Sequence, residues 1–295
     1  MIEEKRLTVG GYETRVLEVA GPRSEHPVIF VHGNPTSADE WRPFLERIDG
    51  QRRAVAPDLI GWGKSERRKD LRHTADTLAW FVKEFFKALD VEEFDLVVHD
   101  WGSIALISAS WWPESVGRIV AINCATFSAD YRWHWIGRLW RTPVVGELLN
   151  ATTTRFGTLQ FLRQATPRSG SLPEVADEIH KHLDGGTKRA MLELYRSAPP
   201  EKLGELGRFL GNIRAPALIV WGDDDPYTDP RWGDFLGNAL GGESHVEHLS
   251  GAGHWPWHDR PEVIDMVVDF LLERESTPPP PSAAPPGSGS DEAQA

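Results

Sequence analysis

The sequence predicts an α/β protein: a mostly parallel eight-stranded sheet with helices on both faces and a helical insertion. Three observations point there. Short apolar runs, of the kind that fill strands buried on both faces, alternate with segments of helical periodicity. Between residues 127 and 214 no comparable strand occurs, and the alternation resumes afterwards. Polar clusters follow four of the strands, just beyond the carboxyl ends where open parallel sheets carry their chemistry.

In chain order, residues 6–9 and 14–19 flank Gly10-Gly11 and read as a hairpin. Residues 28–31, all apolar, form a buried strand. Residues 36–48 carry helical spacing through Trp41, Leu45 and Ile48, and residues 53–57 form the next strand. A helix over 74–89 sets Leu78, Phe81, Val82, Phe85 and Leu89 on one side. A strand at 95–98, a helix over 103–112 and a strand at 118–122 follow. The insertion holds helical patterns at 133–140 and 187–197, broken by Pro and Gly. After it come strands at 217–221 and 244–249, with helices near 232–240 and 261–273. The expected organisation is a core in two parts, residues 1–126 and 215–275, with a helical lid at 127–214. Residues 276–295 are rich in Pro, Gly and Ser and read as a disordered tail, because they have too little apolar surface to offset chain entropy.

Composition narrows the function. Of 295 residues, 40% are apolar and 26% charged, as in an ordinary soluble globular protein. A net charge of −12 argues against nucleic acid or an anionic membrane as partner. The single cysteine, Cys124, excludes an internal disulfide and a thiolate metal cluster, and lies in an apolar run that suits a core residue. The charged N-terminus is not followed by an apolar segment, so no secretory signal is expected, and no run approaches the roughly 20 apolar residues of a membrane span. A cytoplasmic protein is the expectation; the oligomeric state is not readable.

The polar clusters are His32-Gly33-Asn34-Pro35, His99-Asp100-Trp101-Gly102-Ser103, Gly222-Asp223-Asp224-Asp225-Pro226 and Ser250-Gly251-Ala252-Gly253-His254. Residues 98–102 have the layout of a nucleophile elbow, with Asp100 where serine is more usual and Val98 in place of the first glycine. Helix capping alone would account for Asp100, at about 1 kcal/mol. It would not account for an acid and a histidine arriving after two later strands. Asp100 is thus the candidate nucleophile. His254 is the candidate base, preferred over His258, and Asp225 the acid, preferred over Asp223, Asp224 and Asp229. Asn123 stands at the other place from which such an acid can come, but cannot carry the charge.

A carboxylate is ionised at neutral pH and attacks without a base. At a saturated carbon it gives an alkyl ester that water can cleave, whereas at an ester or amide carbonyl it gives an anhydride. The expected substrates are therefore small, uncharged, apolar molecules whose sp3 carbon bears a halide or an epoxide oxygen. Neither a metal nor an organic cofactor is required. Gly61-Trp62-Gly63-Lys64-Ser65 lacks the glycine spacing of a phosphate-binding loop.

Together these residues resemble the α/β-hydrolase superfamily, in its haloalkane dehalogenase and epoxide hydrolase branch, over nearly all of residues 5–274. Residues 32–37 with Trp41, and residues 97–103, look like haloalkane dehalogenases. The resemblance implies that the Asn34 amide and the Trp101 indole grip the halide, and that the backbone N–H groups of both form an oxyanion hole. Leu192-Glu193-Leu194-Tyr195-Arg196 is similar to the segment that carries a lid tyrosine in epoxide hydrolases, where such phenols polarise the ring oxygen; Tyr131 is the candidate second one. Fluoroacetate-type dehalogenases also set a lid tyrosine at such a segment, with a lid His and Trp. Asn123 departs from the commonest dehalogenase pattern, in which that position holds the acid. Trp133, His134, Trp135 and Trp140 read as packing and as an apolar face toward the cleft. Haloalkane dehalogenase is the favoured expectation, epoxide hydrolase the alternative, and a weakly active ligand-binding relative the third.

Overall fold

The computed structural model describes residues 1–22, 26–169 and 172–273. The tail expected at residues 276–295 lies outside the described residues.

The first two strands, β1 (Glu3–Val9) and β2 (Tyr12–Val19), pair antiparallel around Gly10 and Gly11, whose positive φ angles make the tight reversal. β1 is an edge strand and largely exposed, with charged side chains that discourage pairing with another chain. The hairpin is longer than the apolar pattern implies, because its outer residues are held by backbone pairing and by charge pairs such as Lys5–Glu18 at 2.8 Å. The six remaining strands are β3 (Val28–Val31), β4 (Ala54–Pro57), β5 (Phe94–His99), β6 (Val116–Ile122), β7 (Ala217–Gly222) and β8 (Ser244–Leu249). They run parallel in one eight-stranded sheet of order β1-β2-β4-β3-β5-β6-β7-β8. β3, β4, β5 and β7 are buried at every residue, as their apolar sequences require.

Helices α1 (Arg42–Ile48) and α12 (Glu262–Leu271) pack as one pair against the sheet, and α2 (Ala75–Ala88) and α3 (Ile104–Ala109) as another. Thr74 caps α2 by accepting from the Thr77 N–H, and Leu78, Phe81, Val82 and Phe85 form its buried stripe. The helical patterns at 36–48 and 103–112 each begin as a 3-10 turn, Ala38–Trp41 and Asp100–Ser103. α10 (Arg231–Ala239) packs on β7 and β8, and the short α11 (Pro256–Asp259) follows the His254 loop.

Between β6 and β7 the described residues hold six helices: α4 (Trp135–Arg141), α5 (Val145–Thr152), α6 (Arg155–Ala165), α7 (Leu172–His182), α8 (Gly185–Ser197) and α9 (Pro200–Gly207). Only α4 and α8 show clear periodicity in the sequence. The others are short, and α5 and α6 leave Val144, Val145, Leu148 and Phe156 exposed, which blurs the apolar stripe. None of the described helices is long and apolar enough to cross a membrane.

Candidate active site

The site is built at the carboxyl ends of β3, β5, β7 and β8. Asp100 follows β5 with φ at 47°, the left-handed turn that lifts its carboxylate out of the sheet. The turn needs close approach on both sides. A Cβ on Gly102 would meet the Val31 carbonyl oxygen at 2.0 Å, and one on Gly33 would meet Asp100 Cβ at 2.4 Å. Glycine at both positions is thus a steric requirement of the elbow.

His254 lies after β8 and is 2% exposed. Its Nδ1 donates to Asp225 Oδ2 at 2.7 Å, and its Nε2 stands 3.6 Å from Asp100 Oδ2. Neither Asp223 nor Asp224 competes: Asp223 pairs with His248 at 3.0 Å on the surface, and the Asp224 backbone is tied to the Ala252 carbonyl. Asp225 is anchored by the Thr228 hydroxyl at 2.6 Å, the Tyr227 N–H at 2.8 Å and the Asn123 amide at 2.7 Å. Asn123 is therefore a clamp on the acid, its own Oδ1 accepting from the Gly222 N–H at 3.0 Å. His258 stays outside this constellation; burial pushes its ring down to about 4, against the opposing pull of Glu40.

The electrostatics follow from this packing. Burial opposes charge on His254, but Asp225 and Asp100 outweigh it and push the ring up to about 10. Burial raises Asp100 and Asp225 too, yet His254 holds both carboxyls below the usual range, helped at Asp100 by the Asn34 N–H at 2.8 Å.

The remaining candidates converge above Asp100. Asn34 Oδ1 accepts from Trp62 Nε1 at 3.1 Å, which fixes the amide and leaves its buried Nδ2 without a partner among the described residues. Trp101 is buried, stacked on Trp133 at 5.7 Å and edge-on to Tyr195 at 5.6 Å. Burial and the Asp100 charge push the Tyr195 phenol well above its ordinary range, while the neighbouring Trp101 and Asn34 side chains work the other way. Tyr131 is also buried, 5.1 Å from Trp133, and its phenol is raised by burial and then by Asp100. Tyr195 and Tyr131 thus both come into the field of Asp100. Trp133 and His134, expected to serve packing, do more. Trp133 bridges Trp101 and Tyr195, and His134 N-caps α4 by accepting at Nδ1 from the Gly137 N–H. That cap leaves the His134 proton on Nε2, and burial pushes the ring down to about 4, so it is a neutral donor at pH 7.

A cavity of about 270 Å³ lies in the helical segment, bordered by Pro35, Ile136, Trp140, Phe161 and Met191. Its lining is mainly apolar, which suits an uncharged apolar molecule. For a cation, the described residues offer Asp39, Glu178 and His182, with ligand atoms within 4.8 Å of one another. Asp39, however, is already bound by Arg15 and Arg42, each at 2.7 Å, and two guanidiniums oppose a metal ion there.

Comparison with known proteins agrees with this architecture. The sequence pattern of the alpha/beta hydrolase fold family matches residues 26–261. The chain belongs to this family. It falls in the branch of haloalkane dehalogenases and epoxide hydrolases. It is 36% identical over 268 residues to a haloalkane dehalogenase of Agrobacterium fabrum, covering 84% of this chain and 85% of that protein. It is 25% identical over 293 residues to a soluble epoxide hydrolase of a Corynebacterium species, covering 92% and 97%. In fold it resembles the crystal structure of haloalkane dehalogenase DbeA from Bradyrhizobium elkani, with a TM-score of 0.80 at 24% identity, over 92% of this chain and 98% of that one.

Within this hydrolase family member, the contacts of four residues near Asp100, Asp225 and His254 escaped sequence reasoning. The Tyr227 ring lies 5.2 Å from His254, and Asn123 and Thr228 hold Asp225. Glu40 sits behind the site, its side chain 4% exposed. A buried acid three residues beyond a motif looks like any helix-start carboxylate, so only the fold reveals Glu40.

Proposed function

We propose that this hydrolase works through an alkyl ester on Asp100, and that it is a haloalkane dehalogenase, converting haloalkane and water to alcohol and halide. An Asp100 oxygen attacks the sp3 carbon, the carbon–halogen bond breaks, and halide leaves with the bonding pair. Water then adds to the ester carbonyl while His254 Nε2 takes its proton, and collapse returns the Asp100 carboxylate and releases alcohol. Asp100 Oδ1, held at 2.8 Å by the Asn34 N–H, is the oxygen on which negative charge develops in that second step.

The observation that carries the dehalogenase reading is the pair of side-chain donors. Asn34 offers a buried N–H without a partner among the described residues, and the side chains of Asn34 and Trp101 both reach the Tyr195 phenol. Neutral donors aimed at one place suit a departing halide. The 36% identity to a haloalkane dehalogenase supports the same reading. Panel assays of bromide release from 1-bromobutane and 1,2-dibromoethane, with Asp100→Ala as blank, test it. Release lost in the blank is the expected result.

A second reading, epoxide hydrolysis to diols, is favoured by Tyr195 and Tyr131, both buried and within the field of Asp100. Phenols donate to an epoxide oxygen better than an amide does. If Tyr195→Phe abolishes epoxide opening while Asn34→Ala leaves bromide release unchanged, the epoxide reading replaces the first.

A further inference from the structure

We propose that Asp259 is a positioning residue: its carboxylate clamps the loop of His254 to the end of α6, so that the proposed base is held by the helical segment as well as by the sheet. The effect on rate rests on the reading of His254 as base; the clamp itself does not.

The backbone of His254 is held from two sides. Its carbonyl oxygen accepts from His99 Nε2 at 2.9 Å, at the end of β5 in the core. Its N–H donates to the carbonyl oxygen of Ala165, the last residue of α6, at 2.7 Å. The loop that leads into His254 lies against the same segment. A Cβ on Gly253 would meet the Ala165 carbonyl oxygen at 2.1 Å and Pro167 Cδ at 2.9 Å. Gly251 has φ at 77°, and a Cβ there would meet the Arg168 guanidinium at 2.1 Å. Only without a side chain at 253 can the two backbones come this close.

Asp259 ties the two segments together. It ends α11, and Trp257 anchors that short helix in the core by stacking on Trp41 at 5.7 Å and meeting Phe44 edge-on at 5.4 Å. From there Asp259 Oδ2 accepts from the Gly253 N–H at 2.9 Å, and Oδ1 accepts from the Arg168 N–H at 2.7 Å. Each oxygen serves a different stretch of chain. Bonds from a backbone N–H to an ionised acceptor are roughly twice as strong as those between neutral groups. An acid at the C-terminal end of α11 does nothing for its own helix, since the carbonyl end disfavours negative charge. Its partners on the two loops are what account for it.

The clamp also joins His254 to a cavity wall. α6 borders the cavity of about 270 Å³ through Gly157, Phe161 and Gln164. Phe161 stacks on Tyr227 at 5.0 Å, and the Tyr227 ring lies 5.2 Å from that of His254. The helix that lines the cavity therefore reaches His254 twice, through a ring stack and through its last carbonyl. Neither route runs through Asp100, whose carboxylate is placed by β5 and the Asn34 N–H. Loosening the clamp should thus spare attack by Asp100 and slow the step that needs His254.

The test pairs hydrogen exchange, read by NMR at the His254 and Gly253 amides of the whole protein, with rapid-quench kinetics on 1-bromobutane. In Asp259→Ala both amides should exchange about tenfold faster than in the wild type, while the amides of β5 keep their protection. The bromide burst should keep its rate within about twofold, and steady-state turnover should fall roughly 10- to 100-fold, with alkyl ester accumulating on Asp100. Asp259→Asn, which keeps one carbonyl acceptor, should fall between. Unchanged exchange at His254 in Asp259→Ala overturns the proposal whatever the enzyme's activity. A burst and a steady state that fall together also overturn it, since a general loss of packing then explains Asp259. If the wild type turns over neither haloalkane nor epoxide, the function assigned to Asp100 and His254 fails, and amide exchange still decides the clamp. Should Asp259→Ala not fold, Asp259→Asn carries the same measurements.

Discussion

At Asp100 two demands meet. As the proposed nucleophile the carboxylate must be free to attack, yet it stands 3.6 Å from a histidine that its own charge helps to keep protonated. In the proposed mechanism esterification resolves this. Once Asp100 is an ester its charge is gone, one of the two carboxylates holding the His254 proton disappears, and the ring can act as base. The two steps should therefore respond differently to pH. The alkylation burst, followed by rapid-quench bromide release, should be flat from pH 6 to 9, because Asp100 is ionised throughout. Hydrolysis of the ester should rise with pH as His254 loses its proton; a burst and a steady state with the same pH profile would contradict this order of events. Asp225→Asn should slow hydrolysis more than alkylation, since it removes the charge that supports the imidazolium formed when water is cleaved. A pre-steady-state burst that survives in this variant is the expected sign.

At the scale of elements, the site depends on joints between strands and turns. Arg15 on β2 is 1% exposed and ties Asp58, after β4, to Asp39, at the start of the first 3-10 turn, at 2.7 Å each. Asp58 in turn accepts from the Ala38 and Lys64 N–H groups at 2.8 and 2.6 Å, so one carboxylate fixes two loops. Arg15→Met should cost about 3–5 kcal/mol, because it leaves buried carboxylates unpaired. Urea unfolding measures that loss. The elbow itself should be less forgiving of added volume than of lost charge. Gly102→Ala drives a methyl against the Val31 carbonyl, and its activity should fall with its thermal midpoint, whereas Asp100→Ala should lose activity and keep its fold.

For the molecule as a whole, much of the architecture was legible and some was not. Strands buried on both faces leave continuous apolar runs, so β3, β5 and β7 could be read directly. That Asp225 stands beyond the sheet's carboxyl edge could be read too, because it follows a strand. Helices α5, α6, α7 and α9 could not, since short helices with exposed apolar residues carry weak periodicity. The contacts of His99, Glu40 and Asn123 were hidden for another reason: each depends on a partner at least 59 residues away or on burial, and neither is local information. The charge arrangement also predicts a global property. Folded His254 holds its proton to about 10, and an unfolded histidine releases it near pH 6.5. Its contribution to stability is thus complete below about pH 6.5 and is lost as pH rises toward 10. Denaturant midpoints at pH 6 and pH 10 should fall less in His254→Phe than in the wild type.

The central claim is that a covalent alkyl ester forms on Asp100. Peptide mass spectrometry of His254→Phe, folded and incubated with 1-bromobutane, tests it most directly. The account predicts one butyl group on the peptide that contains Asp100, with an equivalent of bromide released. An unmodified Asp100 peptide from folded protein, or a butyl group on another residue, would contradict it.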